Sequence, residues 1–226
     1  MPILRRTLLV LTSLVVLINA TAAFAQLATS THVHSGIFRG RRVTYQMRQG
    51  KMISEGDIAL EHVDQKISEG LHASGTLSYL QHRWPKVGSV YQIPYTINPT
   101  SDDVTNINAA ISNYNTTFSG IIQWVPQTTE ANYVNFKLDP NDTSGVGNSY
   151  IGQVGGGPQL IWGSGSCTVP TLLHEMGHAT GLWHEQSRPD SANYVYVNLA
   201  NIVNVEWFNS TQQFDDMQEP TLYDWS

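Results

Sequence analysis

His174-Glu175-Met176-Gly177-His178-Ala179-Thr180-Gly181-Leu182-Trp183-His184 sets three histidines and a glutamate within eleven residues. Upstream, Thr168 is a helix-capping residue type, Pro170 is tolerated in a first turn, and Leu172, Leu173, Met176 and Ala179 are good helix formers. Helical spacing therefore applies to the run. At 3.6 residues per turn, His174 and His178 lie about 40° apart, with Val169, Leu172, Leu173, Met176, Ala179 and Thr180 in an arc on roughly the opposite side. The helix is expected to bury its back and present two imidazoles.

Side chains four apart on a helix approach to about 5–6 Å at Cβ, close enough for both rings to reach one ion at about 2.0 Å. On an unbroken helix His184 would rotate to the far face, six residues at about 100° each beyond His178. Gly181 is the residue that ends the helix in a left-handed conformation and turns the chain back. His174, His178 and His184 are then candidate Zn2+ ligands. Glu175, about 100° around from His174, lies beside the metal as candidate general base. Three neutral imidazoles leave a zinc ion its full charge and an open position, which suits hydrolysis without a covalent intermediate. An accidental fit of three His, one Glu and one Gly has odds on the order of one in 10⁵ at ordinary residue frequencies.

The chain around this run has 226 residues, 13% of them charged, and a formal net charge of −6. That is enough to bury a core of ordinary size. With no long Lys/Arg run, it argues against nucleic acid or an anionic membrane as partner. Arg5 and Arg6, the 11-residue run Leu8–Ile18 broken only by Thr12 and Ser13, and Ala23-Phe24-Ala25 form the three-part pattern of a secretory signal peptide over residues 1–25. The run falls short of the ~20 residues that span a bilayer. Cys167 is the only cysteine. In an exported chain it is either a buried thiol or paired outside this chain. Asn115, Asn141 and Asn209 open glycosylation triplets from which no function follows.

Residues 26–82 hold five of the eight histidines and little sustained periodicity. They read as a poorly structured pro-segment. From Arg83-Trp84-Pro85 onward the aromatic and apolar patterning is dense. Tyr91–Ile97 predicts a strand in which Pro94 demands an edge or a bulge. Ser101, Asp102 and Asp103 can open a helix, whose core stripe is Val104, Ile107, Ile111, Tyr114 and Phe118. Strand signals follow at Ile121–Val125, Tyr133–Leu138, Tyr150–Val154 and Gln159–Trp162. Gly155-Gly156-Gly157 lacks the setting of a nucleotide loop and reads as a turn beside a sheet edge.

The eleven-residue form continues as Glu185-Gln186-Ser187-Arg188-Pro189-Asp190, and this run, with Trp84-Pro85, Ile93-Pro94-Tyr95 and Val125-Pro126, resembles the astacin family of metzincin zinc endopeptidases. The resemblance covers roughly residues 83–226. It implies an α+β, zincin-like catalytic domain with an upper mixed sheet, two long helices and a lower subdomain that is incomplete, the chain ending near where a Met-turn is expected. It further implies a protein or peptide substrate, a secreted zymogen, a cleft-edge strand near Gln159–Trp162, and Glu185 as anchor of a mature amino terminus. Gly120-Ile121 and Asn148 stand near expected cysteines. Astacin-like precursors often carry an F-x-G-D run whose aspartate occupies the zinc. Ser54-Glu55-Gly56-Asp57 fits in part, so Asp57 stands between a latency ligand and a solvated loop carboxylate.

A catalytically impaired fragment or pseudopeptidase serving as a binding module is the rival reading, and a non-peptidase zinc hydrolase the third. Gly181 and His184 weigh against the last. Intact Glu175 favours the enzyme.

Overall fold

In the computed structural model, residues 32–39, 41–62, 82–98, 104–184, 196 and 198 are described. The elements all lie within one compact unit, Val33–Ser226. They are β1 (His34–Phe38), β2 (Arg41–Arg48), β3 (Lys51–Ser54), β4 (Ile58–Leu60), β5 (Lys86–Val87), β6 (Val90–Ile97), α1 (Val104–Thr117), β7 (Ile122–Pro126), β8 (Val134–Asp139), β9 (Gly147–Tyr150), β10 (Gln159–Ser164) and α2 (Val169–Thr180). The expected signal peptide, Ser101–Asp103, Glu185 and the C-terminal region fall outside the described residues.

The ten strands form one mixed sheet in the order β1-β2-β3-β4-β9-β10-β8-β6-β5, with β7 on β6. α1 packs its Ile107, Ala110, Ile111 and Tyr114 face against α2 and the sheet, as its spacing predicts, but Val104, expected in the stripe, stands exposed at the first residue of the helix, before the face meets the core. The main core joins these to Ile93, Trp124, Val134, Phe136, Leu138, Ile161, Leu172 and Met176. Burial of this many large apolar side chains, each stabilising by roughly 1.5–3 kcal/mol, is what holds helices and sheet together.

Pro94 sits in an inner strand rather than at an edge. Tyr91 N–H donates to Ile121 O on the β7 side, and Gln92 N–H donates to Pro85 O on the other. Pro94 shares the parity of Gln92 and so faces the second side. There β8 begins to pair only at Tyr95. The proline occupies a gap between β5 and β8 where no N–H is required.

Two strand readings are corrected. β9 covers Gly147–Tyr150 rather than starting at Tyr150, because Gly152 at φ 60° turns the chain and donates its N–H to His178 O. β10 is not a cleft edge: it pairs with β8 on one side and β9 on the other. Gly155, Gly156 and Gly157, all at positive φ, form the expected turn.

The larger departure lies at residues 34–60, which are ordered strands and not a poorly structured leader. β4 pairs in parallel with β9, Ile58 opposite Ser149 and Ala59 opposite Tyr150. Phe38, Val43, Tyr45, Ile58 and Leu60 bury against Ile151, with Met52 and Trp183 packed on them, as a second core. The strands are short and joined by tight turns at Arg39, Gln49-Gly50 and Glu55-Gly56, all at positive φ. Arg39 closes the seam, donating to Glu61 at 2.8 Å and to Ile151 O at 2.8 Å.

Candidate metal centre

α2 delivers the first two histidines. Thr168 caps it, accepting from Thr171 N–H, and Pro170 sits in the first turn. Leu172, Met176 and Ala179 are fully buried on its back. Trp84 fixes the C-terminal turn by donating its indole N–H to Ala179 O at 2.7 Å. Gly181, at φ 114°, terminates the helix: its N–H bonds His178 O, and Leu182 N–H bonds Gly177 O at 3.0 Å. These are the two hydrogen bonds of a Schellman cap. The chain reverses there, and His184 returns to the face carrying His174 and His178.

The three imidazoles converge through their Nε2 atoms, His178 set edge-on to the other two rings and His174 nearly parallel to His184. His178 Nε2 lies 3.0 Å from His174 Nε2, which lies 3.2 Å from His184 Nε2. His178 donates Nδ1–H to Leu182 O at 2.7 Å, and His184 donates Nδ1–H to the Glu55 carboxylate at 2.8 Å. With neutral rings, those bonds leave both Nε2 atoms as lone pairs pointing at a common centre. Lone pairs cannot bond one another, so the arrangement calls for a cation. Tetrahedral zinc with Zn–N near 2.0–2.1 Å would separate its nitrogens by about 3.3 Å.

Asp57, in the turn before β4, completes the cluster. Its Oδ2 lies 3.2 Å from His174 Nε2, and its Oδ1 lies 3.3 Å from His184 Nε2 and 3.9 Å from His178 Nε2. One ligand atom from each of Asp57, His174, His178 and His184 falls within 4.8 Å of the others. Asp57 is thus no solvated loop carboxylate. Burial opposes its charge, but hydrogen bonds from His174 and His184 outweigh that and hold its carboxyl well below the ordinary range. Burial likewise opposes charge on His184, yet its bonds to Asp57 and Glu55 carry it up to about 10; a proton on its Nε2 and a metal cation compete for the same lone pair, so ligation would release that proton. His178, buried first and foremost, falls to about 4.

Glu175 is buried at 1% exposure between α2 and the start of β9. A Cβ on Gly147 would meet its Cγ at 2.6 Å. Burial, then the negative charge of Asp57, push its carboxyl up to about 9. Spacing alone brought His174, His178, His184 and Glu175 into view. Glu55 has no such signal: its contact with His184 spans 129 residues and no local pattern announces it.

An α+β sheet-and-helix scaffold with a histidine triad delivered by a helix and its glycine turn defines a metzincin-type zinc metallopeptidase domain. The family model described as Astacin, a peptidase family, matches residues 76–225, and the chain belongs to that family. Among relatives, it is 33% identical to "Astacin-like metalloprotease toxin 1" of Loxosceles intermedia, over 63% of this chain and 50% of that protein. It is 29% identical to "Zinc metalloproteinase nas-4" of Caenorhabditis elegans, over 67% and 46%. With human "Meprin A subunit beta" the figures are 30% identity over 59% and 19%. The chain thus spans half or less of these relatives' lengths. Among solved structures, high choriolytic enzyme 1, a hatching enzyme zinc-protease of Oryzias latipes, matches at 29% identity and a TM-score of 0.48, over 57% of this chain and 64% of that one. The family is zinc-dependent, and the donor set of three imidazoles and a carboxylate suits that ion.

Proposed function

We propose that this chain is the latent, secreted precursor of a zinc endopeptidase. It has a signal peptide over residues 1–25, a pro-segment over 26–82 and a peptidase domain over 83–226. The reading rests on one observation, the convergence of Asp57 with His174, His178 and His184. In it the three histidines hold Zn2+ and Asp57 fills the fourth position until the pro-segment is removed. The signal pattern at residues 1–25 supports an extracellular destination for a protein or peptide substrate.

Bound zinc supplies Lewis-acid polarisation of a carbonyl and a nucleophile at neutral pH. With the pro-segment gone, the Asp57 charge that helps hold the Glu175 carboxyl up leaves with it, and a bound cation would lower that carboxyl further; as the carboxylate, Glu175 would take the proton from the attacking water and pass it to the leaving amine. Glu55 and Leu182 O fix the tautomers of His184 and His178, as outer partners of metal ligands do. β4 fills the outer edge of β9, so removal of the pro-segment frees a strand edge beside Glu175 for a substrate backbone.

The test is zinc analysis of the purified full chain, with cleavage of a quenched peptide before and after limited proteolysis between Glu61 and Trp84. One equivalent of zinc, silence before and cleavage after are expected. Glu175→Gln should keep the zinc and lose activity by several orders of magnitude. An active Glu175→Gln chain would remove the base, and zinc without cleavage would favour a binding module.

A further inference from the structure

Outside the metal centre, the outer face of the sheet carries an aromatic notch already holding a cation. Tyr150 on β9 and Trp162 on β10 sit on the same face, diagonal to one another across the ladder that pairs Trp162 with Asn148. Their ring centroids are 5.6 Å apart at an interplanar angle of 50°. Both are half-buried, while their neighbours Ser149 and Ile161 point into the core. Lys51 of β3 lays its ammonium 4.3 Å from the Trp162 centroid and 5.5 Å from that of Tyr150, with its Nζ 3.3 Å from the Tyr150 hydroxyl. To get there it crosses β4, where the residue paired with Tyr150 is the small, fully buried Ala59.

We propose that this notch is a substrate subsite for a lysine or arginine side chain, occupied by Lys51 in the precursor. The inference rests on the proposed function, in which the strands bearing Lys51 and Ala59 leave and a peptide takes the freed β9 edge. Adjacent strands set paired residues on the same face, so a peptide residue in the place of Ala59 projects beside Tyr150 on the outer side. A long side chain there reaches the rings that Lys51 vacates, and a cation over tryptophan and tyrosine faces gains what a neutral chain of equal length does not. Ring faces reward positive charge and planar guanidinium alike, whereas a carboxylate is repelled. Lys51 thus marks the chemistry of its replacement.

The test uses the full chain, activated by removal of the pro-segment, on quenched peptides in which one position at a time is lysine or its uncharged isostere norleucine. At one position lysine should raise kcat/KM by roughly two- to thirty-fold, the range a cation–π contact supports. Arginine should match it there and glutamate fall below norleucine. In Trp162→Leu the lysine-to-norleucine ratio should collapse toward one; the ratio is internal to each variant and so insensitive to loss of folded enzyme. Should that variant cleave neither peptide, Tyr150→Leu gives the same ratio test. Equal cleavage of lysine and norleucine peptides at every position by the unaltered enzyme, or a ratio that survives both substitutions, would overturn the subsite and leave the peptidase reading standing. Cleavage of no peptide at all would sink the peptidase reading itself, and the subsite with it.

Discussion

Glu175 owes its position to an atom that is missing from its neighbour. Gly147 opens β9 with no side chain, and the glutamate's Cγ, Oε1 and Cδ lie 2.6–2.9 Å from where a Cβ would stand. Real Cβ atoms do not come so close, so Gly147→Ala must displace the carboxylate or the strand. Displacing a catalytic group by about 1 Å costs on the order of 10²-fold in rate. Gly147→Ala should therefore lower kcat/KM of the activated enzyme by about that factor while zinc content stays at one equivalent; full activity would remove Gly147 from the machinery. Cys167 answers to burial in a different way. It is fully buried, and burial, then the charge of Glu175, push its thiol up to about 11. At pH 8 very little of it is thiolate, the reactive form. The native chain should thus react with a disulfide reagent only on unfolding, releasing one equivalent; rapid reaction of the folded protein would contradict the burial.

Helix α2 was readable because everything that makes it is local: a capping threonine, a proline in the first turn, a 3.6-residue apolar period and a terminal glycine. In the proposed zinc site the glycine also delivers the third ligand, His184. Gly181 at φ 114° lies where a Cβ is disfavoured by roughly 1–2 kcal/mol, although nothing within 4 Å would obstruct one. Gly181→Ala should lower stability by that amount and weaken zinc retention, because relief of the strain swings His184 from its partners. Equal zinc off-rates for both chains in a chelator chase would show that the turn does not position the ligand. The bounds of β9 are not legible for the opposite reason. Gly147-Asn148-Ser149-Tyr150 has no apolar alternation, and it is a strand because β10 and β4 flank it and Glu175 leaves no room for a larger first residue. β1–β4 have no clear sequence signal because they span only three to eight residues, and positive φ at Arg39, Gln49 and Glu55 is not written in those residue types. The histidines could be read from spacing, whereas Asp57 has only a partial F-x-G-D match to signal it, and its contact with His174, which closes over 117 residues, is decided by the fold.

Across the whole molecule, the metal centre and the second core join the same two parts of the chain. Asp57 comes from the turn before β4, His174 and His178 from α2, and His184 from the segment beyond it. Ile151 and Trp183 bury against Phe38, Val43, Tyr45, Ile58 and Leu60 on the other side of that seam. An unfolded chain has no such preformed site, so metal-binding free energy at the proposed centre would become stability of the two parts as one unit. At free zinc 100-fold above Kd the gain is about 2.7 kcal/mol. For a chain of this size that is a rise in Tm on the order of 5–10 °C. Chelation should remove that rise from the full precursor. Asp57→Ala should show a smaller zinc-dependent rise, since one ligand is gone and β4 loses its tie to α2, and should acquire peptidase activity before any cleavage. A precursor whose Tm is indifferent to chelator would separate the metal from the seam. An Asp57→Ala chain still silent before cleavage would assign latency to the β4 strand lying along β9 rather than to the carboxylate, because that obstruction survives the substitution.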